Sequence, residues 1–536
     1  MSYRDQSWQP TVLCILDGFG IGPASKSNAI ALAKMTVFKR LQRRYPHTSL
    51  QTSGSQVGLP RWQAGNSEAG HANIGAGRIV KQDSVRILDS IADGTFYKNP
   101  AFISAVKHVR EHQSAVHLMG LLSGDQSGHA HPAHLLSLLK FFRKKKVRPI
   151  YLHLFTDGRD SSPYSAGRFL RRLQDQLEPQ EQIATISGRY YAMDRNKRWD
   201  RTATAYAAMV HGRGVKADNA EAAVASAYDR GETDEYLQPA VMVRHGRPIA
   251  TIDDGDAVIF FNLRSDRARQ LTKPFVQSRF EQLGGFRRGG QLRQLYFVAL
   301  TDFGPDLDTV VAAFPAVSLT QTLPMALAGY RQLYIAESEK YAHMTYFLNG
   351  GYADPVAGED RVMIPSPTVS HYDQRPAMSA KKITTRVLRS LRGREHQFVA
   401  LNFANPDMLA HTGNLAATIA GLKVVDECLG KLYHMVVLRR KGNLIITADH
   451  GNAEVLRSAA GAVVTEHTRY PVPFIMATAD HHRYRLRRGN LANVAPTVLA
   501  IMGVTAPADM TASPLYSPIH PADPYGSTKT SRSLGA

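Results

Sequence analysis

The chain has 536 residues, 43% hydrophobic and 21% charged, with a formal net charge of +20 and two cysteines. That length exceeds what one core usually organises, so two or more domains are expected, and the composition excludes a disordered or fibrous protein. No apolar run approaches the roughly 20 residues of a membrane span. Cys14 and Cys428 sit in apolar or helical patterns, which argues against a disulfide scaffold and a thiolate metal site. The stretch 1–10 is polar and the apolar run 12–16 is too short for a signal-peptide core, so the expected compartment is the cytoplasm. The positive charge is scattered, without zinc-finger spacing or an aromatic-plus-basic signature. That pattern favours steering of small anions over nucleic-acid binding.

In chain order, the first predicted strand, 12–16, runs into Asp17 and Gly18. Next comes Gly65-Asn-Ser67-Glu-Ala-Gly-His71, a serine among glycines ahead of a helical pattern. Ser67 reads either as a helix cap or as a nucleophile, since a helix N-terminus offers free N–H groups and a positive dipole end to a phosphate. Strand 116–122 leads into Ser123-Gly-Asp-Gln-Ser-Gly-His129-Ala-His131, a loop with two imidazoles. Three further strands, 150–155, 183–186 and 258–261, each precede an Arg–Asp motif. These are Asp157-Gly-Arg159-Asp160, Ser187-Gly-Arg189-Tyr-Tyr-Ala-Met-Asp194-Arg195 and Asn262-Leu-Arg264-Ser-Asp266-Arg267. A guanidinium fork holds carboxylate or phosphate through paired hydrogen bonds, and Asp157, Asp194 and Asp266 are expected to orient the arginines.

Strands 295–300 and 333–335 follow. Strand 398–403 then opens Asn402-Phe-Ala-Asn-Pro406-Asp407-Met-Leu-Ala-His411. If Pro406 begins a helix, a spacing of four puts Asp407 and His411 on one face. Strand 444–447 leads to Asp449 and His450, and His467 precedes strand 472–476. Three carboxylates and three imidazoles at strand ends, with no thiolate, suit an oxygen and nitrogen site for two ions. Strands alternating with helices predict an α/β protein with mainly parallel sheets, whose site lies beyond the carboxyl ends of the strands. The acid and imidazole motifs flank the arginine motifs. The chain therefore reads as a discontinuous metal-binding domain, 1–80 and 313–514, carrying an inserted anion-holding domain, 81–312. A Pro-, Ser- and Thr-rich tail, 515–536, is expected to be flexible.

These motifs, with Ala336-Glu-Ser-Glu-Lys340-Tyr-Ala-His343 and Thr447-Ala-Asp-His-Gly-Asn452, resemble those of cofactor-independent phosphoglycerate mutases in the alkaline phosphatase superfamily. The match runs in order from about Val12 to about Val504. The resemblance implies an alkaline-phosphatase-like metal domain with an inserted phosphotransferase domain. It also implies interconversion of 3- and 2-phosphoglycerate through a phosphoserine on Ser67, without 2,3-bisphosphoglycerate. Asp17, Ser67, Asp449 and His450 match the ligands of one divalent ion, and Asp407, His411 and His467 those of a second. Mn²⁺ is the first expectation, with Mg²⁺ or another divalent ion as alternatives. Lys340 matches a lysine beside the nucleophile. His129, Arg159, Asp160, Arg189, Arg195, Arg264 and Arg267 match the substrate-binding set, with Asp160 as general base and acid. The loop before His129 is one residue longer than the family pattern. A monomer acting on a small phosphorylated acid, away from membranes and nucleic acid, is expected. The rivals are a phosphatase or a phosphopentose mutase on the same core, and a basic nucleic-acid-binding protein with a decayed core.

Overall fold

The structure is a computed structural model that describes residues 8–304, 306, 307 and 309–518. The chain divides into two compact units, 1–82 with 317–536 and 83–316. Each is a mixed α/β layer structure built on a mainly parallel sheet.

The first unit holds an eight-stranded sheet in the order Asp360–Ile364, Gln332–Glu337, Phe398–Phe403, Thr11–Leu16, Asn443–Thr447, Val472–Ala477, His47–Gln51, Gly489–Asn490. The first five are mutually parallel. Val472–Ala477 then runs antiparallel to both neighbours. The central strands Thr11–Leu16 and Phe398–Phe403 are buried at every position, as covering by helices on both faces demands, and they read as apolar runs broken only by Thr11 and Asn402. His47–Gln51 and Asp360–Ile364 are polar or half-exposed and gave no such signal. Of the segment 515–536, Leu515 is buried and Tyr516–Pro518 pairs antiparallel with Tyr484–Leu486. The remainder lies outside the described residues.

The second unit holds a sheet in the order Val311–Phe314, Tyr296–Thr301, Ala257–Phe260, Val116–Leu122, Ile150–Thr156, Glu181–Gly188, Ala240–Arg244, Val215–Ala217. Its first six strands are parallel. The three arginine motifs all leave this sheet at carboxyl ends of strands. Among the described residues, no helix is long and apolar enough to cross a membrane.

Glu337 ends the strand beside the central pair and is fully buried. Burial pushes its pKa from 4.5 to about 7. Between those values the folded chain keeps a proton that the unfolded chain gives up, so stability falls as pH rises through this window. The contribution is about 3 kcal/mol. Glu337→Gln is therefore expected to stabilise the metal-free protein at pH 8, and to flatten its stability between pH 5 and 7. Denaturant titrations across that range check this; parallel pH profiles for both proteins would refute it.

Candidate active site

The first unit gathers its acid and imidazole motifs at the carboxyl edge of its sheet. Asp17 and Asp449 follow the adjacent strands Thr11–Leu16 and Asn443–Thr447, and Asp407 lies in the short helix Asn405–Ala410 after Phe398–Phe403. Pro406 opens that helix. The spacing of four then brings His411 Nε2 to 3.2 Å from Asp407 Oδ1. Gly18 has a left-handed φ of 69°. A Cβ there would meet Asp407 Cβ at 2.7 Å, so only glycine lets these strand ends approach so closely.

Ser67 is the first residue of the helix Ser67–Ala76, and Asn66 is its cap, accepting the Ala69 N–H at 2.8 Å. The capping role therefore falls to the neighbouring asparagine, which leaves the serine hydroxyl free for other partners. Lys340 Nζ donates to Ser67 Oγ at 2.9 Å, and His450 Nε2 lies 2.9 Å from the same oxygen. Ser67 Oγ is 3.4 Å from Asp17 Oδ1. Lys340 also sits 2.6 Å from both Asp17 Oδ1 and Asp407 Oδ2. Burial disfavours its charge, but Asp17, Asp407 and Asp449 outweigh that and hold its pKa above the ordinary value.

The carboxylates differ in their balance. Burial, with Asp449 alongside, raises Asp17 to about 7, and Lys340 only partly offsets this. Asp407 is pushed up by burial but held well below the usual range by Lys340, His411 and His467. Asp449 is likewise lowered, because His450, His71 and Lys340 outweigh burial. Burial takes His450 down to about 4, leaving a neutral imidazole.

Three sets of side chains have ligand atoms within 4.8 Å of one another: Asp407 with His411 and His467, Asp17 with His71 and Asp449, and Asp17 with Asp407 and His450. The donors suit a divalent cation, and two observations test the fit. His411 Nδ1 lies 2.7 Å from the Thr465 carbonyl and His467 Nδ1 lies 2.9 Å from that of Gly65. A proton on each Nδ1 leaves two Nε2 lone pairs facing each other at 3.1 Å beside a carboxylate. That arrangement needs a positive charge between them. In its absence a proton serves, and the hydrogen bond to Asp407 raises the His467 pKa against the pull of burial. Second, buried Asp449 Oδ2 makes no hydrogen bond of good geometry, with only the imidazole nitrogens of His71 and His450 near it, at 3.3 and 3.4 Å. The residues fit the ions.

Several participants were not singled out in the sequence. His71 stands one turn along the helix from Ser67, with Nδ1 2.9 Å from the Ser67 carbonyl and 3.3 Å from Asp449 Oδ2. The four-residue spacing could have revealed it. Asn402 donates to Asp17 Oδ2 at 2.7 Å and Asn452 to Asp407 Oδ1 at 2.9 Å. Buried Glu454 accepts from Gly20 N at 3.0 Å, from Asn452 N at 2.9 Å and from the Thr468 hydroxyl. It thereby ties three loops together, and nothing local in the sequence signals it.

Gly70 packs the serine helix directly on Asp449, where an added Cβ would meet Asp449 Cβ and its carbonyl oxygen at 2.8 Å. Gly70→Ala must shift the helix, and displacements of this size cost about 100-fold in rate. Steady-state kinetics should show that loss with a native circular dichroism spectrum; unimpaired turnover would remove the need for this close approach.

The second unit assembles its arginine motifs separately. Arg189 Nη1 contacts Asp157 Oδ1 at 2.5 Å and Asp160 Oδ1 at 3.4 Å. Arg195 and Arg264 share Asp266, at 2.8 and 3.3 Å. Asp194 instead pairs with Arg201 at 3.0 Å, so it does not orient its neighbour Arg195. Burial lowers the Arg267 pKa, with Arg195, Arg189 and Arg159 adding to the effect, which places these cations in one field. Arg159 is half-exposed and bound to Glu235 at 2.6 Å. His129 is driven down to about 4 by burial and then by Arg189. Asp160 Oδ2 accepts from Ser127 at 2.7 Å. Such a concentration of guanidinium groups suits an anionic ligand.

Fold and clusters place the chain among α/β enzymes that work at the carboxyl edge of a parallel sheet. A family model described as BPG-independent PGAM N-terminus matches residues 87–305. The 2,3-bisphosphoglycerate-independent phosphoglycerate mutase of Moorella thermoacetica is 48% identical over 511 residues, covering 95% of this chain and 98% of that one. Its Clostridium perfringens counterpart is 46% identical over 519 residues, covering 95% and 100%. A solved structure of Leishmania mexicana phosphoglycerate mutase at low cobalt concentration is 29% identical, with a TM-score of 0.70, covering 96% and 99%. The chain belongs to the 2,3-bisphosphoglycerate-independent phosphoglycerate mutase family.

Proposed function

We propose that this chain interconverts 3-phosphoglycerate and 2-phosphoglycerate through a phosphoserine on Ser67, without 2,3-bisphosphoglycerate. The observation that carries the reading is the setting of Ser67 Oγ. It lies 2.9 Å from Lys340 Nζ and from His450 Nε2 at the start of a helix, whose free N–H groups favour an arriving phosphoryl group. Asp17, Ser67, Asp449 and His450 would hold one divalent ion, and Asp407, His411 and His467 a second, with Mn²⁺ the first candidate. Bound there, such ions lower the pKa of a hydroxyl and neutralise phosphoryl oxygens. Lys340 places a fixed ammonium at the serine oxygen. Neutral His450 turns a lone pair toward the same hydroxyl.

In the second unit, Arg189, Arg195, Arg264 and Arg267 bind the carboxylate and phosphate of the substrate, with Arg159 and His129 at the edge of the set. Asp160, fixed by Ser127 and Arg189, takes and returns the proton of the substrate hydroxyls. The arginines favour a mutase over a phosphatase, because they supply the means to retain glycerate while the phosphoryl group is on the protein. Incubation with 3-phosphoglycerate and Mn²⁺ in the absence of bisphosphoglycerate should yield 2-phosphoglycerate. Release of inorganic phosphate alone would make the chain a hydrolase instead.

A further inference from the structure

We propose that the second unit carries a separate binding site for a small amphipathic anion, in a cavity between the helices Pro132–Lys144 and Ala166–Gln174. The cavity has a volume of about 660 Å³, within the range of small-molecule sites. It opens beyond the carboxyl ends of the strands Val116–Leu122 and Ile150–Thr156. Its wall is apolar, made chiefly by Leu135, Phe169, Leu173 and Phe261, all buried or nearly so.

Against that wall stand two cations. Arg168 and Arg172 are one turn apart on the same helix and both line the cavity. Both are exposed, and neither forms an ion pair among the described residues. The Arg168 guanidinium lies over the Phe169 ring, 5.0 Å from its centroid. Two like charges four residues apart on a helix repel, and an anion bound between them relieves the repulsion while its apolar body fills the cavity. His131 adds a donor. Its Nδ1 accepts from Ala133 N at 3.2 Å, so its neutral ring carries the proton on Nε2. The carboxylates in the lining, Asp125 and Asp160, belong to the strand-following loops, which directs the anionic end toward the arginine helix. The ligand class is thus a carboxylate, sulfonate or monophosphate on a flat apolar body.

Of the residues assigned above to substrate, only Asp160 lines this cavity. The loop between the two sites links them. Ser123, Gly124, Asp125 and Gln126 line the cavity, Ser127 Oγ donates to Asp160 Oδ2 at 2.7 Å, and His129 N donates to Ser127 Oγ at 3.1 Å. An occupant therefore bears on the loop that holds Asp160. This coupling rests on the role proposed for Asp160, whereas binding itself does not.

The test titrates 8-anilinonaphthalene-1-sulfonate into the full chain without substrate. One saturable site per chain is expected, and it should still fill in the presence of saturating 3-phosphoglycerate. The double variant Arg168→Ala/Arg172→Ala should bind at least tenfold more weakly, with unchanged melting temperature and unchanged turnover in the absence of probe. Arg168→Glu/Arg172→Glu should lose binding altogether. Absence of saturable binding, equal affinity in the alanine variant, or competitive displacement by 3-phosphoglycerate would each overturn the site. Saturating probe should change wild-type kcat at least twofold and leave the alanine variant unaffected; an unchanged wild-type kcat would overturn the coupling but not the site.

Discussion

Ser67→Ala is expected to lower mutase turnover by about 10⁴-fold or more, the scale of losing a nucleophile. The variant should form no acid-stable phosphoprotein from 3-phosphoglycerate. Removing the hydroxyl takes one hydrogen bond from Lys340 and one contact from His450 but leaves the helix cap on Asn66 intact. The fold and melting temperature should therefore survive. Rapid quench with ³²P-labelled substrate reads the phosphoprotein directly. A variant that still labels, or still turns over at the wild-type rate, would remove Ser67 from the reaction.

Lys340→Met has the second large effect, and its cost in stability depends on metal. In the metal-free protein the Lys340 ammonium is the cation that both Asp17 and Asp407 contact, at 2.6 Å each, and all three groups are buried. Removing one partner of such a buried set costs about 3–5 kcal/mol. The chelator-treated variant should melt well below chelator-treated wild type. Divalent ions should restore more stability to the variant than to wild type, because the ions no longer share the carboxylates with the lysine. Turnover should still fall by about 100-fold or more with metal supplied, since a fixed charge at the serine oxygen is gone. Thermal scans with and without Mn²⁺ decide the matter; an equal metal-induced shift in both proteins would contradict this balance of charges.

Much of the fold was legible because buried parallel strands leave plain marks. The runs 12–16, 116–122 and 398–403 are apolar at almost every position, and they are central strands covered on both faces. The strands that escaped notice are those whose environment is mixed. His47–Gln51 pairs near one side of its sheet and Val215–Ala217 spans three residues, so neither shows an apolar run. The proposed ligand residues could be picked out because Asp17, Asp407 and Asp449 follow strands and His467 precedes one, and because Pro406 fixes the helix that aligns Asp407 with His411.

What escaped was whatever depends on segments far apart in the chain. Glu454 joins the loops at Gly20 and Thr468, and Asn452 reaches Asp407. No local spacing encodes such contacts, since they follow from the order of strands in the sheet. Asn66 shows the opposite failure. Its capping role is readable from residue type, yet Ser67 beside it fits the same pattern.

The proposed activity requires the acid and imidazole cluster to grip two cations around Ser67. Anomalous diffraction at the manganese edge, from crystals grown with Mn²⁺, tests it most directly. Two peaks per chain are predicted, one among Asp407, His411 and His467 and the other among Asp17, Ser67, Asp449 and His450. A protein that is fully active while showing no peak at these side chains would contradict it.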